Sequence, residues 1–453
     1  MLAPGPTPRD MLRAVPRIRR DAPGFLADCA ARHGDVVQFP LPTSVALSVN
    51  DPAAARRVLQ DNHRGYDKGT VQYRTLSVVT GNGLLTSDGE LWRRQRRLVQ
   101  PAFHSRTLAA VGERTAEAAA RQLDRWAAVP DGEVVDVDAA MMHTTLDVVG
   151  HALFSTDLGA SSDTLVASVL AALDAVVARA RSPLPLPLTW PTPGNARMRR
   201  AITTLDRAVL AMVDARRESY RRSEQSRGDL LDLLLAARDE GAGEGMDDRQ
   251  LRDEIITLVI AGHETVASAL SWAFHLLAGA DEARERLRAE AVGVLGEGAR
   301  RRSPSVADLP RLPWARAVLE ETLRLYPPAW VVSRRSLADD ELAGVRVPAG
   351  ALVLVSPWVL QRDGRSWPDP LRFDPARFLP GAPEPPRGAY LPFGAGPRLC
   401  VGREFALVEG TLLLASFAAA AELTRPPGAA PVEPDALVTV RPRGGLPLVL
   451  HRG

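Results

Sequence analysis

The chain contains 453 residues, of which 45% are hydrophobic and 24% are charged, and its formal net charge is +2. The apolar fraction is that of an ordinary soluble globular protein, and the charge shows no footprint of a nucleic-acid partner. Two cysteines, Cys29 and Cys400, exclude a disulfide scaffold, so we expect both to be reduced and the protein to be cytoplasmic.

No signal peptide or membrane anchor is predicted. Residues 1–22 carry charges throughout and lack the apolar region that such a segment needs. The longest apolar stretches are too short or too interrupted to span a bilayer. We therefore expect a protein without a membrane anchor.

Helical periodicity dominates from about residue 90 to 280, after strand-like runs at 35–39 and 44–49. The pattern predicts helices over 89–99, 106–127, 137–152, 162–181, 195–222, 228–238 and 248–279. A proline-rich connector at 182–194 favours an extended path, either as a spacer or as a lid over a pocket.

After Pro327 the chain changes to short β-rich pieces, including 344–355, followed by a proline-rich meander to Pro392. A helix is predicted over 403–420, and a C-terminal hairpin over 436–451 with its turn at Gly444-Gly445. The chain is longer than one core usually requires, but no linker or charge block divides it. The elements predict a mainly α protein with smaller β regions.

Trp92 and Arg96 are four positions apart in the predicted helix 89–99, so they project from one face. An aromatic N–H and a guanidinium on one face are suitable donors for a carboxylate. A solvated basic helix with one packed aromatic residue explains the same pattern equally simply.

The long predicted helix 248–279 contains Ala261-Gly262-His263-Glu264-Thr265. Glycine costs about 1 kcal/mol relative to alanine in a helix interior, so the small Ala261-Gly262 pair suggests a close approach to the backbone. The Thr265 hydroxyl can bond to a carbonyl one turn earlier and bend the helix, and Glu264 adds a titratable group beside it. An acid next to an alcohol at a bend is suited to proton delivery, although a kinked core helix is the simpler explanation.

Glu321 and Arg324 share a helix face, which is usually no more than a surface pair. Arg377 follows later in the meander, in the run Pro-Ala-Arg-Phe. Taken alone, each of these three residues has an ordinary structural explanation.

The run from Phe393 to Gly402, FGAGPRLCVG, contains Cys400 between a glycine-rich bend and the predicted helix 403–420. A cysteine at a helix start lies near unpaired N–H groups and the positive end of the macrodipole, which favour the thiolate. Thiolate is the form that binds a metal. The sequence therefore marks Cys400 as a candidate iron ligand.

These motifs, in this order, resemble those of the cytochromes P450, the haem-thiolate monooxygenases. The spacing F-x-x-G-x-R-x-C-x-G is similar to the family's haem-binding loop, and Ala261–Thr265 to its oxygen-activation motif. Gln361 departs from the family pattern, which often has histidine there. The resemblance implies the single-domain cytochrome P450 fold over 1–453 and haem b (iron protoporphyrin IX) as the cofactor.

The resemblance also implies a role for each motif. Cys400 would ligate the iron, with Thr265 bonded to dioxygen and Glu264 relaying protons. Glu321, Arg324 and Arg377 would form a buried structural network. The remaining cofactor-binding residues would be Trp92, Arg96, Arg334 and Arg398 at the haem propionates, Ala261 and Gly262 beside dioxygen, and Phe393, Gly394 and Gly402 in the cysteine loop. Because Arg335 is adjacent to Arg334, the resemblance does not decide which of the two arginines would contact the propionate.

By this resemblance the protein would insert one oxygen atom from O2 into a C–H bond of a small apolar substrate, such as a terpenoid or other secondary metabolite. The predicted pocket walls are 71–85, 182–194, 258–265, 329–332 and the turn near 438, and they are mainly apolar. No flavin- or nicotinamide-binding segment is recognised, so we expect electrons from a separate ferredoxin and ferredoxin reductase. A peroxide-driven peroxygenase and a non-enzymatic haem-based binding or sensing protein are the alternatives.

Overall fold

The computed structural model describes residues 3–40, 45–103, 105–155, 189–222, 229–237, 245–298, 302–436 and 438–452. Helices make up most of this part of the chain. They are α1 (Pro8–Arg20), α2 (Ala22–His33), α3 (Pro52–Arg56), α4 (Val71–Thr80), α5 (Gly89–Val99), α6 (Ser105–Ala127), α7 (Val137–Phe154), α8 (Pro193–Arg221), α9 (Leu230–Ala236), α10 (Asp248–Leu277), α11 (Asp281–Leu295), α12 (Pro313–Leu325), α13 (Pro357–Leu360) and α14 (Arg403–Ala420).

The strands form small sheets at the edge of the helical body. They are β1 (Val36–Pro40), β2 (Val45–Val49), β3 (Tyr66–Asp67), β4 (Val134–Asp136), β5 (Val332–Ser336), β6 (Asp340–Leu342), β7 (Val345–Val347), β8 (Leu352–Val355), β9 (Ala421–Thr424), β10 (Pro434–Ala436), β11 (Val440–Pro442) and β12 (Pro447–Arg452). The largest sheet has the order β1-β2-β8-β5-β3, in which β2 and β8 are parallel. A second sheet has the order β4-β12-β9.

Helix α10 runs through the main hydrophobic core, which it shares with α6, α7, α12 and α14. At its start Asp247 accepts a hydrogen bond from the Gln250 backbone N–H at 2.7 Å, which caps the helix. By length and composition α10 could cross a membrane, but 83% of its most apolar window is buried inside the protein. The expectation was that each apolar stretch is too short or too interrupted to span a bilayer, and α10 contradicts it by length and composition alone.

Most of the predicted elements are confirmed within the described residues. The predicted helices at 89–99, 106–127, 137–152, 195–222, 228–238, 248–279 and 403–420 correspond to α5, α6, α7, α8, α9, α10 and α14, and the two N-terminal strands to β1 and β2. The predicted helix at 162–181 and most of the connector at 182–194 lie outside the described residues. The mainly α fold with smaller β regions is confirmed.

The predicted C-terminal hairpin is wrong. Gly444 and Gly445 do form a turn, with φ values of 80° and 91°. However, β11 before the turn pairs with β10, and β12 after it pairs with β4 and β9. Asp136 accepts a hydrogen bond from the Leu446 N–H at 3.0 Å, so the turn directs the chain to β4 rather than back along β11.

Candidate active site

The segment before Cys400 is a tight bend that fixes the direction of the cysteine. Gly394 and Gly396 have φ values of 73° and 67°, which favour glycine. A Cβ atom on Gly396 would lie 2.3 Å from the Leu59 carbonyl oxygen, so this bend also packs against the turn at residues 57–61. The Cys400 N–H donates to the Phe393 carbonyl at 3.0 Å and closes the loop.

Cys400 lies two residues before Gly402, the N-cap residue of α14. Its side chain is accessible to solvent yet closely surrounded by protein atoms, and this desolvation raises the pKa of the thiol. The Gly402 backbone N–H, Arg96 and Arg403 act in the opposite direction. The thiol is therefore set among donors and cations that would stabilise a thiolate ligand once a metal replaces its proton.

Trp92 and Arg96 project from α5 toward this loop, as their spacing predicts. The Arg398 guanidinium stacks over the Trp92 ring, with its central carbon 4.1 Å from the ring centroid. Arg398 also donates to the Ser87 carbonyl at 3.1 Å and contacts the Asp88 carboxylate. Partial burial lowers the pKa of Arg96, and burial lowers that of Arg398 to about 10.

The backbone register of β5 distinguishes Arg334 from Arg335. Arg334 is buried, only 7% exposed, and donates to the Tyr73 hydroxyl at 3.2 Å. Arg335 points the other way and pairs with Asp67 at the surface. Arg334 is thus the residue on the inner side, next to Arg398 and Lys68.

Lys68 was missed by the sequence analysis, although it is the only lysine in an arginine-rich chain. Its ammonium group is buried and donates to the Leu85 carbonyl at 2.6 Å. Burial first, and then Arg398 and Arg334, lower its pKa well below the ordinary value. A buried cation held among other cations is costly unless an anion is present.

Lys68, Arg96, Arg334 and Arg398 form what we call the cationic cluster. Within the described residues, the carboxylate that interacts with it is that of Asp88. Two of the four cations, Arg96 and Arg334, are guanidiniums that pair with no carboxylate among the described residues. The remaining positive charge therefore fits a ligand that carries carboxylates. This donor set, close to Cys400, fits the two propionates of haem.

The 261–265 segment lies in the middle of α10. The Thr265 hydroxyl donates to the Ala261 carbonyl at 2.7 Å, as its position in the helix allows. A Cβ atom on Gly262 would lie 2.9 Å from a methyl carbon of Val149, so the glycine permits close packing of α10 on α7. The close approach that the sequence predicts at Ala261-Gly262 is confirmed at Gly262, although the sequence could not identify Val149 as the partner.

Glu264 is buried and turned toward the C-terminal segment, where its carboxylate accepts a hydrogen bond from the Thr439 hydroxyl at 2.9 Å. One and two turns further along α10, Ser268 and Trp272 both donate to the Val440 carbonyl, at 2.6 and 2.8 Å. The segment at 438–440 is therefore hydrogen-bonded to three successive turns of α10. It completes the surroundings of the acid from a distant part of the sequence.

Glu321, Arg324 and Arg377 lie together away from the cationic cluster, where α12 meets the meander. Arg324 is fully buried and makes two bonds to the Glu321 carboxylate, at 2.7 and 2.8 Å. It also donates to the carbonyls of Gln361, Pro370 and Arg372. The Arg377 guanidinium lies 3.6 Å from Glu321 and donates to the Pro368 carbonyl at 2.6 Å.

Gln361, the residue that departs from the family pattern, connects three segments. Its amide nitrogen donates to the Leu323 and Arg324 carbonyls, both at 2.9 Å, and its oxygen accepts from the Leu391 N–H at 2.8 Å. Leu391 leads directly into the cysteine loop. A glutamine can therefore connect the end of α12 to that loop.

Comparisons with known proteins agree with this geometry. Residues 3–446 match a family model described as Cytochrome P450. The chain is 39% identical over 428 residues to a cyclooctat-9-en-7-ol 5-monooxygenase of Streptomyces melanosporofaciens, covering 94% of this chain and 90% of that protein. It is 38% identical over 421 residues to a pentalenene oxygenase of Streptomyces avermitilis, covering 92% and 90%. The crystal structure of CYP175A1 from Thermus thermophillus superposes with a TM-score of 0.78 at 31% identity, covering 99% of this chain and 100% of that one.

Proposed function

We propose, since this chain belongs to the cytochrome P450 family, that it inserts one oxygen atom from O2 into a C–H bond of a terpenoid. The family consists of oxidoreductases that use haem b, and two relatives are named as oxygenases of cyclooctat-9-en-7-ol and of pentalenene. The observation that carries the proposal is Cys400, held by the Phe393 carbonyl at the start of α14 with the Gly402 N–H directed at its sulfur.

In this proposal Cys400 holds the haem iron and the cationic cluster holds the propionates. When bound, haem supplies the binding of dioxygen and the oxidising power, which no protein side chain provides. Trp92 supports Arg398 by stacking, and Arg334 approaches from β5. These contacts would orient the cofactor when it binds.

Exchange of Lys68 for methionine should speed haem loss by about tenfold. The buried ammonium would lose its attraction to a propionate, and a tenfold change corresponds to about 1.4 kcal/mol. Transfer of haem to excess apomyoglobin measures the rate. The matched control is Arg335→Met, which removes a cation facing away from the cluster and should change the rate less than twofold. Equal rates for K68M and the natural protein would remove Lys68 from the haem site.

The acid and alcohol on α10 would deliver protons to dioxygen. The Thr265 hydroxyl would donate toward the oxygen site from its place above Ala261, and Glu264 would hold a proton in exchange with the Thr439 hydroxyl. General acid catalysis of this kind typically contributes about 10²–10⁴-fold.

Exchange of Thr265 for alanine should therefore uncouple the reaction. We expect product per NADPH to fall at least tenfold while oxygen consumption continues, with the difference released as hydrogen peroxide. Glu264→Gln should also lower the amount of product formed per NADPH. Ser416→Ala, which removes a buried hydroxyl of α14 that donates to the Leu412 carbonyl of its own helix, is the control and should stay coupled. Full coupling in T265A would show that this hydroxyl does not deliver the proton.

We also propose that electrons come from a ferredoxin and its reductase, and that the protein acts in the cytoplasm. Arg93 and Arg97 of α5 and Arg403 of α14 are exposed, and Arg403 lies close to Cys400. A basic surface of this kind would attract an acidic partner, and the attraction would weaken as salt rises.

The direct test is turnover of a terpenoid panel by the haem-loaded protein. We expect oxygenated product with NADPH, ferredoxin and reductase, and much less with hydrogen peroxide alone. Equal turnover with peroxide alone would identify a peroxygenase. Tight terpenoid binding without product under both conditions would identify a binding or sensing protein.

A further inference from the structure

Tyr73 lies on the inner face of α4, in a predicted wall of the substrate pocket. Its side chain is half-buried, and it shares that face with the buried residues Leu76 and Thr80, three and seven positions later. The residues on either side of it, Gln72 and Arg74, are exposed. The phenol ring is therefore directed toward the protein from the first turn of α4.

The Tyr73 phenol contacts the cationic cluster. Its oxygen accepts a hydrogen bond from the Arg334 guanidinium at 3.2 Å, and the Lys68 ammonium lies 5.1 Å from the centroid of its ring. Tyr73 is also among the ionisable neighbours of Arg398, where it acts on the pKa against the lowering by burial. The phenol is thus a neighbour of three of the four cations.

The hydroxyl of Tyr73 still has a proton to donate. A phenol can both donate and accept, but in the described part of the chain this one only accepts. Arg334 and Lys68 carry donors and no acceptor, so neither of them can take the phenol proton. A bond accepted from a cation also polarises the O–H group and strengthens it as a donor. The surrounding positive charge favours a carboxylate as the acceptor that completes its bonding.

The start of α4 is held against β5 by a second contact. Thr70 precedes the helix as its N-cap residue, yet its side chain makes no capping bond. Its hydroxyl instead shares a hydrogen bond of 2.8 Å with the Ser333 hydroxyl, and both residues are buried. Because Ser333 adjoins Arg334 in β5, this bond keeps the first turn of α4 beside the inner side of that strand. Two neighbouring contacts therefore place the phenol at the cationic cluster.

We propose that Tyr73 donates its phenol proton to a haem propionate and thereby anchors α4 to the cofactor. The cationic cluster supplies the charge that holds the propionates, and Tyr73 adds a neutral donor from the pocket wall. Haem binding then fixes the start of this wall as well as the cofactor itself. The proposal rests on the haem of the proposed function, and it does not depend on the substrate or on the reaction.

Tyr73→Phe removes the hydroxyl and keeps the ring that Lys68 approaches. Transfer of haem from the haem-loaded variant to excess apomyoglobin should be about fivefold faster, because a hydrogen bond to a charged group is lost. The propionate bending band in the resonance Raman spectrum should also shift, since its position reports hydrogen bonds to the propionates. The matched control is Tyr220→Phe on α8, a phenol that is 37% exposed and outside the cationic cluster. It should change neither the rate nor the band.

A double-mutant cycle separates a direct bond from an effect through Arg334. A phenol that only orients this guanidinium should have no effect on haem loss once Arg334 is replaced by methionine. A phenol that donates to the propionate should keep its effect, so R334M/Y73F should still lose haem several-fold faster than R334M. Equal rates in these two variants would make Tyr73 a positioning residue for Arg334 and overturn the bond to the propionate.

Hydrogen exchange tests the anchoring of the wall. In the haem-loaded protein, the amides of α4 should exchange at least about threefold faster in Y73F than in the natural chain, because one contact that closes the helix against the protein is lost. The amides of α14 should exchange at the same rate in both. Unchanged exchange in α4 would overturn the anchoring.

Failure of this inference is distinct from failure of the proposed function. A rate of haem loss and a propionate band that are unchanged in Y73F would overturn the role of Tyr73 and leave the oxygenase reaction untouched. A haem-loaded natural protein that oxygenates no terpenoid would overturn the proposed function. Faster haem loss from Y73F would still support the bond to the propionate in that case.

Discussion

Replacement of Cys400 by serine should abolish product formation, with a loss of at least a thousandfold. The serine hydroxyl is a poor ligand that stays protonated at neutral pH, so the iron would lose the anionic sulfur that activates oxygen. The loop itself should persist, because the backbone bond to Phe393 and the packing of Gly396 do not use the side chain. The reduced, carbon monoxide-treated protein should lack the strongly red-shifted Soret band that a thiolate ligand gives.

The other cysteine provides the control. Cys29 is buried in a separate hydrophobic cluster with Phe25 and Leu26, away from the cysteine loop. Cys29→Ala should retain the red-shifted band and the activity, with at most a modest loss of stability. A red-shifted band in C400S, or its absence from correctly folded natural protein that contains haem, would contradict the assignment of the ligand.

Replacement of Arg324 by alanine should lower the free energy of unfolding by about 3–5 kcal/mol. The Glu321 carboxylate would remain buried without its main partner, and the cost of an isolated buried charge is of this size. Three meander carbonyls would also lose their donor. Desolvation already raises the pKa of Glu321, and loss of Arg324 would raise it further. Urea denaturation of the haem-loaded protein measures the change.

The neighbouring pair on α12 offers a matched control. Arg316 and Glu320 are 3.2 Å apart on the same helix, but the arginine side chain is 32% exposed. Arg316→Ala should cost less than about 1 kcal/mol, as is usual for ion pairs that remain in contact with solvent. Similar losses in R324A and R316A would show that burial does not determine the contribution of the Glu321 network.

The sequence was most informative where local rules determine the structure. The predicted bounds of α5, α6, α7, α10 and α14 agree with the observed ones to within a few residues, because helical periodicity is a local property of the sequence. The loop around Cys400 was recognisable from the spacing of its motif, and its glycines Gly394 and Gly396 occupy positive φ angles that the bend itself requires. Such constraints act between residues that are close together in the sequence, so the sequence reveals them.

Contacts between distant segments could not be predicted in the same way. Lys68 joins the cationic cluster only because β3 lies beside β5, and no local pattern shows that pairing. The C-terminal turn looked like a hairpin, but the partners of β12 are β9 and β4, and β4 lies more than three hundred residues earlier. Likewise, the need for Gly262 arises from Val149 on another helix.

The bond between Glu264 and Thr439 joins residues 175 positions apart, and the second of them is close to the end of the chain. During synthesis on the ribosome, α10 emerges long before the segment that completes the surroundings of its acid. The nascent chain therefore cannot complete the hydrogen bonding of Glu264 until residue 439 has been synthesised. Premature termination anywhere before residue 439 would release a protein whose acid lacks the Thr439 hydroxyl, even if the cysteine loop had already formed.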